Sequence, residues 1–115
     1  MGNKDGIAKY LPLSEATYYI MLMLVEPKHG YGVMQQVEEE TDGAVTIGPG
    51  TLYGAFSTLE NQGLIEMLRE EGRRKVYALT GKGRAVLRRQ IERLDMMARS
   101  GQQVLGQISA SARES

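Results

Sequence analysis

Eight consecutive apolar residues, Tyr18 to Val25, sit within a chain of 115 residues. The run is far shorter than the ~20 residues that a membrane span needs, so it has to be buried in protein. Ser14 precedes it, and a serine hydroxyl accepts an orphan backbone N–H at a helix start. Glu26-Pro27 closes it. The cap and the Met/Leu content favour helix over strand. A helix that is apolar on every side must be covered on every side. One small domain rarely supplies two walls, so the segment points to a second chain.

The rest of the chain reads as a short series of elements. Residues 30–41 form an amphipathic helix with Val33, Met34 and Val37 on one face and Glu38, Glu39 and Glu40 at its outer end. Asp42-Gly43 is a turn signal, and β-branched Val45-Thr46-Ile47 is a candidate small strand. Pro49 is pre-set for a first helical turn, and a third helix is expected from Pro49 to Gln62. Its buried stripe is Leu52, Ala55, Phe56 and Leu59, and Gly63 is its left-handed cap. Strands over 64–70 and 74–79 follow, with Gly72 supplying the positive φ of a tight turn. Thr80 caps a last helix in which Leu87, Ile91, Leu94, Ala98, Gly101, Leu105 and Ile108 alternate spacings of four and three. That rhythm is a helix-pair seam, with Ser100-Gly101 as a point where it could kink or fray.

Three helices, a hairpin and a long helix make a mainly α fold with a small β-hairpin. The order is that of a winged helix-turn-helix followed by a C-terminal dimerisation helix. The expected divisions are 1–12 as a flexible arm, 13–80 as the winged domain, 81–109 as the dimerisation helix and 110–115 as a disordered tail.

Composition narrows the chemistry. Cysteine is absent and His29 is the sole histidine, so thiolate catalysis, Cys-type zinc and a His-metal cluster are excluded. No metal, no cofactor and no enzyme activity are expected. His29 reads as a structural or capping residue rather than a ligand. No basic-then-apolar leader opens the chain, which makes the cytoplasm the default compartment and a membrane partner unexpected. Basic and acidic residues number 14 each, but they are not evenly spread. Residues 1–68 carry 3 basic and 9 acidic side chains, whereas residues 69–99 carry 10 and 4. Such asymmetry suits a segment facing a polyanion.

On the third helix Gly50, Thr51, Tyr53, Gly54, Ser57, Thr58 and Asn61 avoid the buried stripe. They are small or polar and uncharged. Ser and Thr can meet base edges or phosphates, and a major groove about 12 Å wide admits one helix. Tyr53 could equally pack against the second helix. Arg73, Arg74 and Lys75 on the hairpin suit the sugar-phosphate backbone, and Tyr31 at the start of the second helix is a weaker candidate. The candidate DNA-binding set is Gly50, Thr51, Tyr53, Ser57, Thr58, Tyr31, Arg73, Arg74 and Lys75. The candidate homodimer interface is Tyr19, Met23, Leu87, Ile91, Leu94, Ala98 and Leu105. Two readers on a two-fold axis would meet double-stranded DNA at an inverted-repeat operator with half-sites about 34 Å apart.

The ordered set Gly48-Pro49-Gly50-Thr51-Leu52-Tyr53, Leu59-Glu60, Gly63-Leu64-Ile65 and Gly72-Arg73-Arg74-Lys75-Val76-Tyr77-Ala78-Leu79-Thr80 resembles the PadR family of transcriptional regulators. His29-Gly30-Tyr31-Gly32 is similar to the same family's pattern. The likeness runs from about Leu13 to Gly83, and the short chain looks like the family's smaller branch. It implies a homodimeric, mostly repressive DNA-binding regulator that responds to a small aromatic or phenolic effector. Two departures stand out. The stretch Gly54 to Thr58 has no positive charge where relatives often carry one. The chain also has no Trp, which the aromatic clamp of some relatives needs; Leu94 stands at about that place. The alternative reading is a winged-helix dimer that binds small molecules or proteins without specific DNA binding.

Overall fold

The structure, a computed structural model, describes residues 6–114. The first helix, α1 (Glu15–Met23), starts at Ser14, whose hydroxyl accepts the Thr17 N–H at 3.1 Å. It ends three residues short of Glu26. The turn that follows carries the chain into β1 (Lys28–His29), a two-residue strand not anticipated from sequence. Glu26 precedes a proline, and a pre-proline residue is pushed out of helical geometry. The carbonyl of Leu24 accepts from Leu79 N, and that of Val25 from the Arg84 guanidinium, so the helix end is closed by later parts of the chain.

Helix α2 (Gly30–Glu40) is capped by His29, whose Nδ1 accepts the Gly32 N–H at 3.3 Å. Residues 45–47 form no strand, contrary to expectation. Thr41 instead holds both the N–H and the carbonyl of Val45 through its hydroxyl, and Ile47 drops into the core. Val45 is half-buried and Thr46 is exposed. Helix α3 (Pro49–Asn61) buries Leu52, Phe56 and Leu59.

Strands β2 (Ile65–Glu71) and β3 (Arg74–Leu79) form the expected hairpin, and β1 adds to its other side in the order β1-β3-β2, all antiparallel. Gly63 and Gly72 take φ of +75° and +65°, the left-handed conformations predicted for the helix cap and the hairpin turn. The register slips between Met67 and Arg69, so Leu68 is an extra residue. Such a bulge bends and twists the hairpin away from its base.

The last helix, α4, spans Gly81–Glu114, about 51 Å at 1.5 Å per residue. Helical backbone continues through Ser100-Gly101 without a break, and Ser100 returns its hydroxyl to the Met96 carbonyl. It also continues past residue 109, where a disordered tail was expected; Ser109 to Glu114 contain no Gly or Pro to stop it. Ser115 lies outside the described residues.

The arm expected at 1–12 is corrected in part. Residues 1–5 lie outside the described residues. Residues 6–8 have helical backbone, and Ile7, Tyr10 and Leu11 pack against the core. Three apolar side chains give this stretch enough burial to be held. The Leu13 N–H is met by the buried Gln90 side chain of α4 at 2.9 Å.

One core joins α1, α2, α3, the hairpin base and the first third of α4. On α4 the residues that enter it are Gly83, Val86, Leu87 and Gln90. The same helical face continues with Leu94, Met97, Val104, Leu105 and Ile108. Leu94 is half-buried, and the other four are more than half exposed. The helix therefore overhangs the domain with its apolar face uncovered.

Candidate nucleic-acid interface

Helix α3 reaches the surface because α2 lets it come close. A Cβ at Gly30 would lie 2.8 Å from Leu52 Cδ2 and 2.8 Å from the Tyr53 hydroxyl. Glycine there allows the first turn of α2 to sit against the first turn of α3, whose Leu52, Phe56 and Leu59 face inward. The opposite side of α3 presents Gly50, Thr51, Gly54, Ser57 and Thr58, all exposed. A Cβ at Gly50 or Gly54 would meet nothing within 4 Å, so the backbone is open to close approach. The face is hydroxylated and uncharged, as the sequence indicated, and Thr51, Gly54 and Thr58 line a groove of about 380 Å3 with Tyr10, Leu13 and Thr17.

Tyr53 does both things considered for it. Its ring meets Phe56 edge-on at 6.1 Å and adjoins Gly30, yet 54% of the residue is exposed. Tyr31, from the start of α2, is 53% exposed.

The hairpin tip comes round to this side. Arg73, Arg74 and Lys75 share a cleft of about 350 Å3 with His29, Tyr31 and Tyr53. Arg74 spans it: its Nη1 is 3.2 Å from His29 Nε2 and its guanidinium lies 6.0 Å from the Tyr31 ring centre. Tyr77 also lines the cleft, its ring tilted by 57° against Phe56 at 4.8 Å. Burial, aided by the charges of Glu60 and Glu70, holds its phenol above the ordinary range.

Most of the basic excess of residues 69–99 has an assigned place; Arg88 and Arg93 of α4 are in no ion pair among the described residues. Arg69 pairs with Glu71, Arg89 with Glu92 and Arg99 with Asp95. Lys82 and Arg84 bond the backbone carbonyls of Gln62 and Val25. Among the described residues Arg73, Arg74 and Lys75 are in no ion pair, which leaves them the free cations beside α3. Sequence reasoning missed the His29–Arg74 contact. It depends on β1, which is too short to announce itself by alternation.

The candidate dimer residues divide. Ile91, Ala98 and Leu105 are exposed on α4, and Tyr19 and Leu94 are half-buried and line one groove of about 310 Å3. Met23 and Leu87 are corrected. They are 4% and 5% exposed within their own chain and belong to its core. Met23 lies on the inward side of α1, and Leu87 precedes the overhang of α4.

A helix-turn-helix with an exposed polar face, a cationic wing and a long overhanging helix with one apolar face define a winged-helix protein. Comparison with known proteins agrees. Residues 20–89 match the family described as Transcriptional regulator PadR-like. The chain belongs to the PadR family. A transcriptional regulator from Clostridium thermocellum is 26% identical, with a TM-score of 0.69 over 86% of this chain and 96% of that one. A PadR-like transcription factor from Bacteroides fragilis is also 26% identical, with a TM-score of 0.66 over 90% and 99% of the two chains. Transcriptional regulator YqjI of Escherichia coli is 35% identical over 72 residues, 63% of this chain and 35% of that protein. The chain thus spans about a third of that relative's length, and less of a Streptomyces fradiae transposon protein that it also matches. Among the described residues no helix is long and apolar enough to cross a membrane.

Proposed function

We propose that the chain is a sequence-specific DNA-binding transcriptional regulator that works as a homodimer. The observation that carries this reading is an exposed, uncharged hydroxyl face on α3 together with three wing cations, in no ion pair among the described residues, that share a cleft with Tyr53 of the same helix. Helix α3 enters the major groove. Thr51, Ser57 and Thr58 meet base edges and neighbouring phosphates there, and Gly50 and Gly54 let the backbone close in. Arg73, Arg74 and Lys75 hold the adjoining sugar-phosphate strand, with Tyr31 and Tyr53 between. Affinity comes mainly from the phosphates and specificity from α3.

The dimer is supported by the uncovered face of α4. Met97, Val104, Leu105 and Ile108 are each more than half exposed on a helix that extends beyond its own domain. A monomer rarely leaves such a continuous apolar stripe in water. Pairing along α4, with Tyr19 of α1 alongside, covers it and sets the spacing of two reading helices.

The finer role is repression relieved by a small aromatic or phenolic molecule, in keeping with the family. Any such molecule acts by favouring one spacing of the two readers over another.

Selection of genomic fragments by the purified protein, followed by sequencing, tests the reading. The expected result is a short inverted repeat with half-sites about one helical turn, ~34 Å, apart. Recovery of no enriched sequence would favour a winged-helix dimer without DNA specificity.

A further inference from the structure

The cleft between the wing and the start of α2 contains a contact that does not balance. His29 Nδ1 accepts the Gly32 N–H. A neutral imidazole has one lone-pair nitrogen and one N–H, so accepting at Nδ1 puts the proton on Nε2. That Nε2–H faces Arg74 Nη1 at 3.2 Å, and a guanidinium can only donate. The two contacts thus compete for one lone pair, and in the tautomer that caps Gly32 two donors face one another with no acceptor between them among the described residues. Arg73 and Lys75 add two further cations, Tyr31 and Tyr53 add two phenols, and no carboxylate lines the space.

We propose that this cleft seats a phosphate oxyanion, and that its occupant is a backbone phosphodiester of the strand running between the groove read by α3 and the groove met by the wing. His29 Nε2–H and Arg74 donate to the same phosphate, which turns the donor–donor contact into a pair of converging hydrogen bonds. The inference rests on the DNA-binding reading and adds to it a residue, His29, whose type and position otherwise say only "helix cap". The β1 pairing fixes its place: His29 sits opposite Val76 on β3, and Arg74 starts that strand two residues earlier. One residue thus ties the helix-turn-helix to the wing through the strand of DNA between them.

His29→Asn separates the two roles. An Asn side chain still caps the Gly32 N–H but has no donor at the Nε2 position. The variant is expected to match the wild-type unfolding midpoint yet bind DNA about tenfold more weakly, in line with loss of a hydrogen bond to a charged group. The slope of log affinity against log salt stays as in wild type, because no cation has been removed, whereas Arg74→Ala lowers it by about 0.9 per phosphate released. His29→Asn binding as tightly as wild type would overturn the seat while leaving the DNA-binding reading intact. A wild-type protein that binds no DNA would instead overturn the reading itself.

A second measurement does not depend on a variant. The chain has one histidine, so nitrogen-15 spectra of the imidazole show a single spin system. The free protein is expected to carry its proton on Nε2, and addition of DNA should shift Nε2 and leave Nδ1 nearly still. A proton on Nδ1, or no shift on adding DNA, would refute the proposal. An equal shift with inorganic phosphate alone would assign the seat to a free anion and refute the strand assignment.

Discussion

Two glycines fix how the elements meet, and each is open to test. Gly83 lies where the first turn of α4 crosses Leu64, and a Cβ there would run into the Leu64 backbone carbonyl. Backbone cannot swing aside as a side-chain tip can. Gly83→Ala is therefore expected to lower stability by about 1–3 kcal/mol, the usual cost of overpacking, with urea unfolding as the measurement. An unchanged midpoint would mean that the crossing is looser than the structure has it. Gly30 is the milder case, since the atoms a Cβ would meet are the ends of the Leu52 and Tyr53 side chains rather than backbone. Gly30→Ala is expected to displace Tyr53 and to reduce DNA affinity more than stability. Tyr53 fluorescence and DNA titration together check this. At this scale the sequence was informative wherever a residue type is demanded by conformation, as at Gly63, Gly72, Ser14 and Thr80. It was silent on Gly30 and Gly83, because close approach between distant elements leaves no local pattern.

The elements were read from three different signals, and those signals explain what was missed. Helices α2 and α3 and the hairpin carry apolar periodicity bounded by Gly and Pro, and they stand where expected. Strand β1 has two residues, too few for any alternation, and exists only because β3 offers it an edge. Residues 45–47 have strand chemistry but pair with no strand; Ile47 is buried and Thr46 stays exposed. The end of α4 lacks apolar residues but also lacks a breaker, and helix continues. The wing is the element whose function separates most cleanly from its fold. Arg73, Arg74 and Lys75 are exposed and unpaired among the described residues, so replacing all three with Ala should leave thermal unfolding within about 0.5 kcal/mol of wild type. DNA binding should fall sharply at the same time. A triple variant that unfolds early would show that the hairpin depends on them for its own structure.

At the scale of the whole molecule, α4 does two things. Its first third completes the core of its own chain, and the remainder carries the same apolar face beyond the domain, where the proposed dimer would cover it. The sequence made the seam legible as a repeat but did not mark where self-packing ends. That boundary depends on the width of the domain, and it moves Leu87 and Met23 into the core and leaves Leu105 outside. Leu105→Glu places a charge on the overhang without touching the core. It is expected to reduce the sedimentation mass toward one subunit while preserving the unfolding midpoint of the domain. A dimer that survives it would put the contact on Tyr19 and the groove beside Leu94. The candidate DNA site was legible as residue types on α3 and the wing, but their meeting across one cleft was not, because β1 makes it.

The salt dependence of DNA affinity tests the central claim most directly. For the wild-type chain, three wing cations per subunit in a dimer give a slope of log affinity against log salt near about −5, at about −0.9 per phosphate. With Arg73, Arg74 and Lys75 all changed to Ala, the slope should flatten toward zero. Equal slopes for the two proteins, or no DNA bound by the wild type even at low salt, would contradict the account.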